Sequence, residues 1–333
     1  MPSLRDLAEL VRAPAALSVP GDVLAGAVAA GWAYPLAGSA AEPPGGHRLD
    51  RAARASGLAG ASVLLYWAGM AANDWADRRL DALERPERPI PSGRVHPATA
   101  FGLSAGLTVA GLAAAGLAGG RRSLAVAVPL TGAVWAYDLW AKKTAAGPAV
   151  MAACRGLDVL LGASLGQPLR AVPAAVTIAA HTYTVTALSR REVTGADRWL
   201  PMATLAGTAA VAGAATGPVG AETRVAAARS AGMRAVGSGA AGAGRIRRTR
   251  RDWRGLVPAV LAAGYLARYG RAQARAMATP DAARIRTAVG AGITGLPALQ
   301  GALIARAGAP LLGMVVAAAA PVGRRLARWM SPT

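Results

Sequence analysis

Charge-free apolar stretches near the length of a bilayer crossing recur along this chain. Residues 97–120 and 171–188 hold no charged side chain, and similar stretches run at 57–72, 123–137, 199–217, 255–267, 287–305 and 307–323. Two more are interrupted, 13–36 by Asp22 and 147–169 by Arg155 and Asp158. A bilayer core asks for roughly 20 apolar residues per helix. The pattern therefore predicts an all-α, polytopic membrane bundle of nine or ten transmembrane helices. A soluble Ala-rich helical protein is the competing reading, and it does not account for so many stretches near the bilayer length. The first twelve residues, with Arg5, Asp6, Glu9 and Arg12, precede an apolar stretch too long for a signal peptide, so a first membrane span is expected there.

Composition agrees. Of 333 residues, 53% are hydrophobic and only 16% charged, with mean hydropathy +0.33; soluble domains carry roughly 25% charged residues. One cysteine, Cys154, and three separated histidines, His47, His96 and His181, exclude a disulfide scaffold and a Cys/His metal site. The net charge is +20, and residues 218–333 hold 18 basic against 3 acidic side chains. With so few aromatic residues and so much apolar sequence, this charge points to membrane or phosphate rather than nucleic acid.

Basic residues alternate between connections. The connection 76–97 carries Arg78, Arg79, Arg85, Arg88 and Arg94; 138–146 carries Lys142 and Lys143; 189–198 carries Arg190, Arg191 and Arg198. The intervening connections carry Arg121 with Arg122, then Arg170 alone. Positive loops face the cytoplasm, which places these three connections and the amino terminus inside a cell (cytoplasmic) membrane. The chain reads as one membrane domain, 1–333, interrupted at 218–254 by an Arg-rich, low-complexity insertion.

The densest polar constellation is Asn73-Asp74-Trp75-Ala76-Asp77-Arg78-Arg79-Leu80-Asp81. Asn73, Asp77 and Asp81 share one helix face at spacings of four, with Asp74 beside them. Carboxylates so close need a cation. Mg²⁺ fits, since it takes carboxylates together with substrate phosphates; pairing with Arg78 and Arg79 at a solvated helix end is the alternative. The loop that follows, Glu84 to Val95, contains three prolines and a glycine, and its Arg85, Arg88 and Arg94 either clamp a phosphate or serve as positive-inside anchors alone. Arg155 and Asp158, three apart inside a span, are either a packing lock or a wall of a polar pocket. Asp22 is assigned to neither. Cys154, His96 and His181 are expected to be structural.

The run N-D-x-x-D-x-x-x-D followed by R-P-x-x-x-G-x-V, at Asn73–Asp81 and Arg88–Val95, resembles the first signature of the UbiA superfamily of intramembrane prenyltransferases. Tyr137-Asp138-Leu139-Trp140-Ala141-Lys142-Lys143 is similar to that family's Tyr–Lys element, and Leu10–Pro14 with Val19–Asp22 resembles its first helix. The resemblance covers roughly residues 10–200. Where the family carries a second Asp-rich motif, this chain reads Ser189-Arg190-Arg191-Glu192-Val193-Thr194-Gly195-Ala196-Asp197, without D-x-x-x-D. That stretch, Cys154–Asp158 and the Glu84–Val95 loop resemble the UbiA-like proteins called EboC, a branch linked to making or exporting specialised metabolites.

The resemblance implies a helical bundle around a central cavity and a Mg²⁺-dependent transfer of an isoprenyl group from a prenyl diphosphate to a lipophilic acceptor. It implies catalytic roles for Asp74, Asp77 and Asp81, and metal ligation by Asn73, Asp77, Asp81, Glu192 and Asp197. Diphosphate binding falls to Arg88, Tyr137, Lys142, Lys143, Arg190 and Arg191. A non-catalytic or transport-associated membrane protein that binds an isoprenoid ligand remains the second reading. A CDP-alcohol phosphotransferase is excluded, because its D-G-x-x-A-R element is missing.

Overall fold

A computed structural model describes residues 2–32, 46–216 and 246–319, all helical or in connections, with no strand among the described residues. The helices are α1 (Leu4–Leu10), α2 (Val19–Ala29), α3 (Gly46–Glu84), α4 (Pro97–Leu139), α5 (Gly147–Ala163), α6 (Pro168–Ser189), α7 (Trp199–Thr216), α8 (Ile246–Ala278), α9 (Ala282–Arg306) and α10 (Pro310–Ala319). A 3-10 turn, Ala13–Ser18, leads into α2. Residues 217–245, which include most of the expected insertion 218–254, lie outside the described residues, as do 33–36 and 320–323 at the ends of two expected spans. The basic stretch 246–254 opens α8.

Sequence dictates where several helices start. Ser3 accepts from the Asp6 amide, and Asp6 caps in return; this reciprocal pair satisfies amides a helix start leaves bare. His96 caps α4, with Pro97 at its first position, and Asp281 caps α9. α3 extends the expected span 57–72 into a helix of 39 residues, carrying the Asn73–Asp81 face beyond the apolar stretch.

By length and composition alone, the segments Asp50–Glu84, Pro97–Leu139, Pro168–Ser189 and Ala282–Arg306 can cross a membrane. Pro97–Leu139 contains two limbs. Gly120 has φ 66° and ψ −154°, a conformation open to glycine, and the chain folds back there. Trp135 Nε1 donates to Thr108 Oγ1 at 3.2 Å, and Phe101 sits edge-on to Trp135, which only an antiparallel pair allows. The expected spans 97–120 and 123–137 are thus two arms of one hairpin. α3 packs against both arms: Ser104 of the first donates to the Ala68 carbonyl, and Val134 of the second covers Gly69.

Among the described residues, α2, α3, the two arms of α4 and α5 to α9 make nine limbs, and α10 begins a shorter tenth. One end gathers α1, the 85–96 loop, the turn at 141–143, the 190–198 loop and the α8–α9 turn. The Ala196 amide donates to the Pro280 carbonyl there.

α2 and α5 cross at backbone contact. A Cβ on Gly26 would run into the Val159 carbonyl, and one on Gly162 into the Val23 carbonyl. Small residues of this kind let membrane helices approach closely, where dispersion replaces the missing hydrophobic drive. The same crossing buries an ion pair. Arg155 Nε lies 2.7 Å from Asp22 Oδ2, and the guanidinium sits 5.5 Å from the centre of the Tyr66 ring. Gln300 of α9 donates to Asp22 Oδ1 at 2.6 Å and to the Ser18 carbonyl at 2.7 Å. Asp158 accepts instead from Ser62 of α3. The two expected partners, Arg155 and Asp158, therefore reach different helices. A charge this deep must be paired, and the pairing ties α2, α5 and α9 into one register.

Gly162→Leu should cost about 3 kcal/mol, because the Val23 carbonyl it meets is backbone and cannot step aside. Gly60→Ala, on an open face of α3 with nothing within 4 Å of the new Cβ, should change stability by no more than about 1 kcal/mol. Thermal unfolding of the detergent-solubilised protein compares the two; equal Tm values would refute the close crossing.

Candidate functional site

The end of α3 holds the polar constellation where the apolar part of the helix stops. Asp74 and Asp81 are both 4% exposed, and Asp77 is partly buried. Arg78, expected as a local partner, turns away, donating to the Trp75 carbonyl at 2.7 Å and stacking over the Trp75 ring at 4.7 Å. The cations come from distant segments. Arg88, in the loop after α3, reaches Asp81 Oδ2 at 2.7 Å and Asp74 Oδ1 at 3.4 Å. Lys142, in the turn after α4, donates to Asn73 Oδ1 at 2.8 Å and Asp77 Oδ2 at 2.7 Å. Lys143 Nζ lies 3.5 Å from Asp77 Oδ1.

A fourth cation was not singled out from the sequence. Arg12 Nη2 lies 2.7 Å from Asp74 Oδ1. Its backbone has φ 45° and ψ 51°, the left-handed region that non-glycine residues rarely adopt. Sixty-two positions separate the pair, so no local spacing reveals it. Asp138, buried at the end of α4, was likewise given no role. Its carboxylate packs against α3 at Gly69.

Arg94 departs from its expected role as a phosphate clamp. It is held by Asp6 at 2.7 Å, Glu9 at 2.9 Å and the Glu87 carbonyl at 2.8 Å. It therefore fastens α1 to the loop. Asp6 itself is held down at about 2, below its ordinary 3.8, by the Ser3 hydroxyl and amide first and by Arg94 after them.

The structure brings Asn73, Asp74, Asp77, Asp81, Arg88, Lys142 and Lys143 together. Tyr137 is half-buried one turn before Lys142. Arg190 donates to the Thr144 carbonyl, which holds the 190–198 loop against the Lys142 turn. Arg191 is exposed beside Thr194, Asp197 and Trp199. Asp197 Oδ1 accepts from the Trp199 and Leu200 amides and so caps α7. Partial burial raises the Glu192 carboxyl above its ordinary range, with Arg286 opposing the shift.

Hard oxygen donors converge at one point. Asn73 Oδ1 and Asp77 Oδ2 both lie within hydrogen-bond distance of the same Lys142 Nζ, and Asp77 Oδ1 is buried without a hydrogen-bond partner. That donor set fits Mg²⁺. Among the described residues no group of three or more His, Cys, Asp or Glu side chains converges for a metal, so an ion here would need substrate oxygens to complete its shell. The remaining expected residues are also placed: Cys154 is buried and free, His181 Nδ1 is 2.8 Å from the Tyr265 hydroxyl, and His96 caps α4.

Comparison with known proteins bears on the family and the fold. A family model described as UbiA prenyltransferase family matches residues 27–198. A digeranylgeranylglyceryl phosphate synthase of Methanopyrus kandleri is 35% identical over 123 residues, covering 37% of this chain and 44% of that protein. The bacteriochlorophyll synthase 33 kDa chain of Cereibacter sphaeroides is 32% identical over 114 residues, covering 33% of this chain and 37% of that protein. The chain thus spans less than half the length of either curated relative. A solved structure described in connection with digeranylgeranylglyceryl phosphate synthase in membranes superposes with TM-score 0.60 at 14% identity, over 92% of this chain and 99% of that one. That likeness carries the fold.

The depressed carboxyl of Asp6 gives a pH dependence with a definite sign. A carboxyl lowered in the folded state contributes stability above its unfolded value, near 3.8, and loses it as pH falls toward about 2. The clasp of α1 on the loop should therefore hold at pH 5 and open between pH 4 and 2, read as a lengthening distance between spin labels at Leu4 and Glu84. Ser3→Ala should move the opening to higher pH, whereas Arg94→Gln, which removes the clasp's cation, should leave the distance long already at pH 5.

Proposed function

The chain belongs to the UbiA prenyltransferase family, and on that premise we propose that it is a membrane prenyltransferase that moves an isoprenyl group from a prenyl diphosphate to a lipophilic acceptor. The observation that carries this is the joining of α3's carboxylate face to Lys142 and Arg88, with a buried Asp77 oxygen that accepts no hydrogen bond and has the Lys143 ammonium 3.5 Å away. Such a site suits a diphosphate together with a hard cation. Family membership carries prenyl transfer in general. The relatives' names differ in product, so they leave the acceptor open, and the motifs at 84–95, 154–158 and 189–195 favour the EboC-like branch and specialised metabolism.

In this reading Lys142, Lys143 and Arg88 bind the diphosphate, with Arg190 and Arg191 closing over it from the 190–198 loop and Tyr137 beside them. Asn73, Asp77 and, once Arg88 turns to substrate, Asp81 would hold Mg²⁺. Glu192 and Asp197 are candidates for a second ion. Bound there, Mg²⁺ would offset negative charge on the diphosphate oxygens. The protein's cations do the same from fixed positions. The carbon–oxygen bond breaks with its electron pair left on diphosphate, and fixed charges stabilise that departure in a site partly shielded from water. Asp74 keeps Arg12 and Arg88 in place. The electron-rich acceptor then bonds to the allylic carbon and loses a proton. A prenyl tail dissolved in the bilayer explains a site at the membrane end of α3. The chain acts as one membrane domain, with residues 218–254 an insertion.

One observation favours the second reading. Asp74, Asp77 and Asp81 are already balanced by Arg12, Arg88, Lys142 and Lys143. A chain that binds an isoprenoid diphosphate without turnover needs no more than this.

The arginine and lysine distribution supports a cytoplasmic site-bearing end. A cysteine at Ser92, which lies in the exposed part of the loop, should react with impermeant reagent only after the cells are opened. Labelling of intact cells would reverse the orientation. Purified protein incubated with labelled prenyl diphosphates and candidate acceptors should transfer label only with Mg²⁺. Asp77→Asn should lower that rate by about 100-fold or more while its Tm stays near that of the native chain. Ligand binding without transfer for every acceptor would favour the second reading.

A further inference from the structure

The outer side of α8 and α9 carries charge that prenyl transfer does not use. The two helices run antiparallel, with Tyr269 against Gly292 and Tyr265 against Gly295 on their inner faces. Their outer faces leave a groove of about 660 Å³. Arg268, Arg271 and Arg275 of α8 line it at spacings of three and four, one stripe of the helix. Thr287, Gly290 and Thr294 of α9 line the opposite wall, and no lining residue is acidic. Arg268 Nε donates to Thr294 Oγ1 at 3.2 Å; Arg271 and Arg275 are exposed.

Depth makes these charges significant. α9 starts on the site-bearing end, and its charge-free band begins at Thr287. At about 1.5 Å per residue, Thr294 lies about 10 Å into that band. Arg268 is at its level, Arg275 faces the start of the band beside Thr287, and Arg271 lies between. Guanidinium groups on a lipid-facing surface are costly unless they meet a counter-charge. Their stems reach toward the interface, where lipid phosphates supply one. A guanidinium forks onto two phosphate oxygens. A Cβ on Gly264 or Gly290 would meet nothing within 4 Å, so the groove is open at the depth of an acyl chain.

We propose that this groove binds an anionic phospholipid, with its phosphate held by Arg271 and Arg275 and one acyl chain lying along Gly264 and Gly290. The assignment rests on the membrane placement of α8 and α9 and is independent of the transfer reaction. The start of α9 touches the 190–198 loop, where Arg286 donates to the Glu192 carbonyl at 2.9 Å, so a lipid seated beside it braces the wall that carries Arg190 and Arg191.

Native mass spectrometry of the full chain, delipidated and then titrated with phosphatidylglycerol, with phosphatidylcholine of the same chains or with inorganic phosphate, tests the site. Phosphatidylglycerol should be retained about tenfold more than phosphatidylcholine. Arg271→Gln with Arg275→Gln should bring it down to the phosphatidylcholine level, and inorganic phosphate should not displace it. Should the double variant fail to fold, Arg275→Gln alone should lower retention about threefold. Equal retention of the two lipids, native retention in either variant, or displacement by inorganic phosphate would overturn the proposal. So would a dimer whose contact covers the groove.

Discussion

Three carboxylates within eight residues at the end of one membrane helix cannot stay together without cations, and the neighbouring cations in sequence do not serve. Arg78 turns back onto Trp75. Compensation comes from Arg12 ahead of α2, Arg88 in the loop after α3, and Lys142 after α4. Each contact fixes a connection that would otherwise be free to move, so the charge requirement of α3 organises the whole site-bearing end. Pairs that are partly buried and hydrogen-bonded resist screening far better than surface pairs do.

That arrangement depends on the bundle beneath it. Lys142 can reach Asp77 because α4 turns back at Gly120 and returns its second arm alongside α3. The 190–198 loop meets the Lys142 turn through Arg190 and the α8–α9 turn through Ala196. Below them, the Asp22–Arg155 pair, with Gln300, sets how α2, α5 and α9 sit relative to one another. Removing one partner would leave a charge in a low-dielectric interior, which is far more costly than the pair itself. A buried ionic contact here specifies register more than it adds stability.

The two ends of the molecule's charge distribution do different work. The site's cations face carboxylates, and one buried Asp77 oxygen accepts no hydrogen bond, with Lys143 3.5 Å away. Arg271 and Arg275 of α8 are exposed along a groove whose lining holds no acidic residue. The first arrangement suits an anion brought with a metal, the second a phosphate that is part of the membrane itself.

Local sequence determined much of this protein. Runs of apolar residues near the bilayer length specify helices, because a backbone in lipid must satisfy its own hydrogen bonds. The spacing of Asn73, Asp77 and Asp81 specifies a shared face, because helical period is local. The family likeness was legible from the same residues. Tertiary structure alone decided which partner each charge took. Arg94 went to α1 instead of to a phosphate, Arg155 to Asp22 instead of to Asp158, and Arg12 to an aspartate 62 positions away. Helical spacing says which side chains share a face and nothing about which distant segment that face will meet. That is set by close crossings such as Gly26 on Val159 and by the reversal at Gly120, where backbone contact and a single left-handed residue fix the register of whole helices.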